Sequence, residues 1–138
     1  MSAVIVDANV ALKWVVTEED SEAAAALASR DLAAPAILLG ECANALWAKV
    51  RRRELSSAEA LERLEALQTV PVELVPLDAL AGEALGLAFQ LDHPVYDCLY
   101  LALALQRDLL LITADGRFTD VVQRHGEYSG HVRRLAGL

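Results

Sequence analysis

The chain has 138 residues, 12 lysines and arginines against 20 aspartates and glutamates, a formal charge of −8 and a hydrophobic fraction of 55%. That size and apolar content predict one compact domain burying about two-thirds of its surface; they exclude a disordered chain and a disulfide- or zinc-stapled mini-protein, and no apolar run reaches membrane-spanning length. The acidic balance excludes a protein that holds nucleic acid by side-chain charge alone, because phosphate neutralisation needs clustered Lys and Arg, and lysine occurs only as Lys13 and Lys49.

The N-terminus lacks a basic region followed by a signal-peptide core, so a cytoplasmic location is expected. Cys42 and Cys98 match no CxxC pattern and read as small buried hydrophobes. Along the chain, Val4-Ile5-Val6 is an apolar run ending at Asp7, the pattern of a short buried strand feeding a turn. A helix start follows at Thr17, which can cap, with Glu18, Glu19 and Asp20 favouring the dipole. Ala33 to Ile37, around Pro35, reads as a short, poorly paired extended piece. A helix is predicted from about Leu38 to Arg53, with Leu39, Ala43, Leu46 and Val50 as its core stripe and Arg51-Arg52-Arg53 in its last turn.

Ser56 and Glu59 form a capping-box signature for the next helix, whose face is Leu61, Leu64 and Leu67 and which stops near Pro71. Val72 to Leu77 alternates as a strand, and Asp78 opens a helix with Leu80, Ala84, Leu87 and Leu91 on one side. Tyr96 to Gln106 is apolar nearly all round, predicting a central helix covered on both sides. Leu109 to Thr113 reads as a buried strand and Gly116 to about Arg124 as a final helix; the residues after Gly126 carry no assignment.

Strands that alternate with helices and read as continuous apolar runs predict an α/β architecture with a mostly parallel sheet. Ligands bind outside the carboxyl ends of such strands. Asp7 follows the first strand and Asp115 the last, while Glu41 and Asp97 open helices inside the apolar runs LLGECANALW and HPVYDCLYLALA. Each acid alone has an ordinary alternative: Asp7 or Asp115 as a helix cap, Glu41 or Asp97 as a first-turn acid complementing a dipole. Four together, with few cations beside them, would either hold protons at raised pKa values or hold a metal. Hard oxygen donors without His or Cys point to Mg²⁺ or Mn²⁺, the chemistry of phosphoryl transfer.

VIVDANV, LLGECANALW, HPVYDCLYLALA and TADGRF, in this order and spacing, resemble the four acidic motifs of the PIN-domain ribonucleases, and the size and order resemble the VapC toxins of toxin–antitoxin modules. The likeness covers nearly the whole chain. It implies a single PIN-like domain over residues 1–138, a three-layer fold with a mostly parallel central sheet flanked by helices. It also implies Asp7, Glu41, Asp97 and Asp115 as catalytic, metal-binding acids using Mg²⁺ or Mn²⁺. The implied reaction is cleavage of single-stranded or loop RNA to a 5′-phosphate and a 3′-hydroxyl, inhibited by a cognate antitoxin protein.

Other residues can be read beside this resemblance. On a helical wheel Glu41 lies opposite the expected stripe, so Asn44, one turn on, could orient it or bind a metal water, with Ala45 and Ala48 leaving room. Asn9 and Thr113, two residues from Asp7 and Asp115, suit supporting hydrogen bonds to those acids, or local backbone bonds. Family members often carry another acid two residues after the last aspartate, where this chain has Arg117. That leaves open whether one metal or two is held, with Asp120 as an acid that could substitute. Arg117 could contact the scissile phosphate, pair with Asp115 or point to solvent. Arg51 to Arg53 could touch RNA or simply end a helix.

Trp14 and Trp47 could line an antitoxin groove or serve core or dimer packing, and the excess of apolar residues predicts a homodimer. His93, His125 and His131 lack metal-ligand spacing and read as structural or exposed. Aspartyl-phosphate phosphatases and receiver domains are disfavoured because Asn9 stands where the phosphatase's second acid would be, and neither the receiver's adjacent acids nor its lysine occurs. No glycine cluster forms a dinucleotide or P-loop cradle. The remaining rival is a non-catalytic PIN-like scaffold that binds partners.

Overall fold

A computed structural model describes residues 3–138. Five strands, β1 (Val4–Val6), β2 (Leu32–Pro35), β3 (Glu73–Val75), β4 (Leu110–Thr113) and β5 (Val132–Arg134), form one sheet in the order β3-β2-β1-β4-β5. All its pairings are parallel. The helices among the described residues are α1 (Ala8–Leu12), α2 (Ser21–Leu27), α3 (Leu38–Arg51), α4 (Ser57–Leu67), α5 (Ala81–Leu91), α6 (Val95–Arg107) and α7 (Gly116–His125). No helix there is long and apolar enough to cross a membrane.

Alternation along the strands builds two cores. Ile5 and Leu111 face the α3, α5, α6 and α7 side with Leu38, Cys42, Leu101 and Phe118; Val4, Val6 and Ile112 face the other side with Ala24, Leu27 and Leu135. The α/β class with a central parallel sheet is therefore as the sequence predicts. So is α6, whose seven consecutive residues Cys98 to Ala104 are all buried. Both cysteines are free and buried, and burial pushes their thiols up, Cys42 to about 12 and Cys98 to about 11.

Several local expectations are corrected. The segment around Pro35 is not poorly paired: β2 is buried along its length and bonded to β1 and β3 on either side. Its small residues suit it to a place between two sheet neighbours, a property of packing that alternation does not reveal. Thr17 caps nothing, since α2 begins at Ser21 behind Asp20, which adopts a left-handed conformation (φ 64°). Glu18 is drawn instead to Lys49 (3.1 Å) and Lys13 (3.9 Å). The stretch from Asp78 opens as a 3₁₀ turn, Leu77–Ala79, before α5, although Leu80, Ala84, Leu87 and Leu91 are all buried as expected. Extended structure near 72–77 is confined to β3, and the unassigned tail supplies β5.

The stripe of α3 is also rotated: Leu38, Cys42, Leu46 and Lys49 are its buried residues, while Leu39, Ala43 and Val50 are half-buried. A lysine is invisible to an apolar pattern, yet Lys49 is 8% exposed because Glu18 accepts from its Nζ. Removing the acceptor leaves that ammonium desolvated, so Glu18→Ala is expected to cost about 2 kcal/mol, and Lys49→Met, which removes the charge itself, less. Urea unfolding of both variants checks the order.

Candidate active site

The strand order reverses at β1, with β2 on one side and β4 on the other, so the crevice of this fold opens at the carboxyl ends of β1 and β4. Asp7 leaves β1 there in extended conformation (φ −92°, ψ 175°) and caps α1, its Oδ1 accepting from Val10 N (3.1 Å). Its Oδ2 accepts from the Thr113 hydroxyl, and that hydroxyl in turn accepts from Asp115 N (2.9 Å). Thr113 thus ties the ends of β1 and β4 together. Asp115 caps α7, its Oδ1 accepting from the N–H groups of Arg117 (2.9 Å) and Phe118 (3.3 Å).

A cleft of about 220 Å³ opens at this edge, lined by Asp7, Ala8, Asn9, Leu12, Glu41, Ala45, Asp97 and Tyr100. No lysine or arginine is among these residues. Burial, above all, pushes the Asp7 carboxyl up to about 7; its hydrogen bonds oppose this, and the charges of Asp97 and Asp115 add to it. Glu41 is also raised, chiefly by desolvation and further by Asp97, against a lowering bond from Tyr100. The structure therefore brings Asp7, Glu41 and Asp97 to one cleft and sets Asp115 close enough for Asp7 to feel its charge.

Two partners of these acids escape the motif reading. The buried Tyr100 hydroxyl donates to Glu41 Oε1 (2.5 Å) across 59 residues of sequence, a contact made only where the first turns of α3 and α6 converge on the cleft. His93 Nε2 lies 2.6 Å from Asp97 Oδ2, and its ring packs on Phe118 with 4.8 Å between centroids. The four-residue spacing of His93 and Asp97 across the start of α6 was a signal available in the sequence. Tyr100→Phe removes the bond that opposes the rise in the Glu41 pKa, so that pKa is expected to rise further with little change in melting temperature; an NMR titration of the Glu41 carboxyl in both proteins checks the direction.

The other named residues sort by placement. Asn9 lines the cleft and its Oδ1 accepts from Ala114 N (2.9 Å), fastening α1 to the end of β4. Asn44 is exposed and does not line the cleft; Ala45 does. Arg117 is exposed and lines a separate recess with Asp120, Gln123 and Arg124. Trp14 is half-buried, its indole donating to Ala24 O (2.8 Å). Trp47 is 58% exposed, carries the Arg51 guanidinium over its ring, and borders an apolar groove between α3 and α4.

Among the described residues no three His, Cys, Asp or Glu side chains converge as a ready-made metal-ligand set. Each acid has at least one oxygen engaged by the protein, whereas Glu41 Oε2, Asp97 Oδ1 and Asp115 Oδ2 accept no bond from the described residues. An all-oxygen donor set without a neighbouring Lys or Arg fits a hard divalent cation chemically, with side-chain adjustment needed to close around it.

Comparison with known proteins agrees with this architecture. The chain matches the PIN domain over residues 4–123, and it belongs to the PIN-domain family. PIN domains are generally nucleases, and PIN nucleases usually use divalent metals. The fold is similar to the crystal structure of PAE2754 from Pyrobaculum aerophilum (TM-score 0.69, 21% identity, 99% of this chain and 94% of that one). It is also similar to a chain of a toxin–antitoxin complex from Klebsiella pneumoniae (TM-score 0.65, 16% identity, 96% of this chain and 97% of that one). No curated protein matches the chain.

Proposed function

We propose that this chain is, as one domain, a Mg²⁺- or Mn²⁺-dependent endoribonuclease that cleaves single-stranded or loop RNA in the cytoplasm, as the toxin of a toxin–antitoxin pair. The observation that carries the reading is the cleft at the sheet's carboxyl edge, where Asp7, Glu41 and Asp97 meet without a lysine or arginine and Asp115 stands beside them. A scaffold gains nothing from holding acids whose charges raise the proton affinity of Asp7 and Glu41. Asp7, Glu41, Asp97 and Asp115 would hold the cation. A divalent metal there supplies Lewis acidity, lowering the pKa of a bound water and neutralising charge on the phosphodiester.

The chain's own part is positioning. Thr113 and the first turn of α1 fix the Asp7 carboxylate, Tyr100 fixes Glu41, and His93 holds Oδ2 of Asp97 while Oδ1 stays open. Asn9 locks α1 against the end of β4, so the acids on both strands keep their separation.

The toxin reading is supported by the similarity to a chain of a toxin–antitoxin complex together with exposed apolar surface. Leu85, Phe89 and Tyr96 are 47%, 78% and 62% exposed on α5 and α6 and suit a homodimer contact. The groove beside Trp47 suits an antitoxin segment, whose basic residue would enter the acidic cleft. The test is cleavage of a labelled single-stranded oligoribonucleotide: cuts are expected with Mg²⁺ or Mn²⁺ and none in excess EDTA. Full cleavage in EDTA would refute the metal role, and no cleavage with either metal would refute the nuclease.

A further inference from the structure

RNA is a polyanion, and the residues lining the cleft include three carboxylates and no lysine or arginine. The chain has 12 lysines and arginines, and four of them, Arg117, Arg124, Arg133 and Arg134, fall in its last 22 residues. The sheet register carries one of these to the site. The parallel pairing of β5 with β4 sets Arg134 opposite Thr113, so Arg134 leaves the sheet at the same edge and on the same face as the hydroxyl that binds Asp7. Its guanidinium reaches Gly116, the residue that follows Asp115 and begins α7.

The contact is close, and any side chain at position 116 would make the guanidinium give by a few tenths of an ångström. A Cβ at position 116 would stand 3.0 Å from Arg134 Cζ and 3.2 Å from each Nη. The near-equality of those distances turns the flat face of the guanidinium toward Gly116 and leaves its N–H edges free. Gly116 has an ordinary helical backbone, where alanine is the better helix former. The space it leaves is therefore its distinguishing contribution. Arg134 is exposed, and its side chain forms no hydrogen bond or ion pair with the described residues.

We propose that Arg134, seated over Gly116, is a phosphate-binding residue of this site, taking a backbone phosphate of the RNA beside the scissile one. A guanidinium edge matches two phosphate oxygens, and its fixed charge at the rim offsets the repulsion between the substrate and the carboxylates. The inference rests on the RNA-cleavage reading above and adds the group that holds the substrate.

The test uses the full chain and a fluorescein-labelled single-stranded oligoribonucleotide, with anisotropy measured in EDTA over a range of salt and steady-state cleavage measured with Mn²⁺. Arg134→Ala is expected to weaken binding roughly tenfold, to reduce the slope of log K against log salt by about 1, and to raise KM more than it lowers kcat. Gly116→Ala keeps the charge and moves the guanidinium by only a few tenths of an ångström, so binding should stay within about threefold while the melting temperature holds or rises. Arg134→Lys should recover part of the loss. Arg107→Ala removes an equal charge at the opposite edge of the sheet, where Arg107 pairs with Glu73, and should leave Kd within twofold. If the wild-type protein binds and cleaves RNA while Arg134→Ala leaves Kd, salt slope and KM unchanged, the assignment is overturned. If the wild-type protein neither binds nor cleaves RNA, the nuclease reading fails first and Arg134 with it.

Discussion

Asp7→Asn is expected to lower RNA cleavage by at least two orders of magnitude and, in the metal-free protein, to raise the melting temperature at neutral and alkaline pH. Losses of roughly 10–100-fold attend removal of groups that only support a ligand, and Asp7 would itself be a ligand. Its effect on stability follows from the same burial. The folded protein holds the Asp7 proton up to about pH 7, against 3.8 for an ordinary aspartate. Below about pH 4 both folded and unfolded chains carry that proton and the residue is neutral to stability. Between pH 4 and 7 the folded chain binds more protons than the unfolded one, so stability falls as pH rises, and above pH 7 the full penalty is in place.

At about 1.4 kcal/mol per pK unit the shift corresponds to about 4 kcal/mol, an upper bound for what Asn can recover. Asn keeps an oxygen for the first turn of α1, so the cap survives. Melting curves from pH 4 to 9 in EDTA should show a falling limb in the wild type that flattens in Asp7→Asn. Equal slopes in the two proteins would show that Asp7 is not the titrating group. An unfolded variant would make the bond from Thr113 to the Asp7 carboxylate a structural requirement rather than part of a charged site.

The second large effect concerns metal and stability together. The acids repel one another without a cation, and a divalent ion that binds only the folded chain stabilises it by mass action, by about 2.7 kcal/mol at a hundredfold excess over its Kd. Mn²⁺ is therefore expected to raise the melting temperature of the wild type by several degrees. Asp97→Asn should lose most of that rise, since Asp97 Oδ1 accepts no bond from the described residues while Oδ2 is held by His93. Because the reading is thermal, it separates a metal site from a partner-binding scaffold without any knowledge of the RNA. A melting temperature indifferent to Mn²⁺ in the wild type would favour the scaffold.

How much of this was legible beforehand differs between residues. Asp7, Ser56 and Asp115 could be read as caps because a cap is decided within three residues, and all three accept the backbone bonds expected of them. The burial of α6 was legible because an all-round apolar surface has nowhere else to go. Lys49 and β2 were not. A lysine joins a core only where a distant acid meets it, and a strand's pairing depends on which strands arrive beside it.

The sequence by itself determined the alternation of strands and helices from β1 to α7, apart from the short α1, and the placement of an acid after the first and last recognised strands and at the start of two helices, because those features follow from periodicity and capping over a few residues. Only the tertiary structure decided that β1 and β4 lie side by side with Thr113 bridging Asp7 and Asp115, that Tyr100 meets Glu41, and that β5 carries Arg134 to Gly116. Those contacts join residues up to 106 positions apart. Their partners are chosen by how the chain closes on itself, where burial and hydrogen-bond satisfaction across the whole fold outweigh local preference.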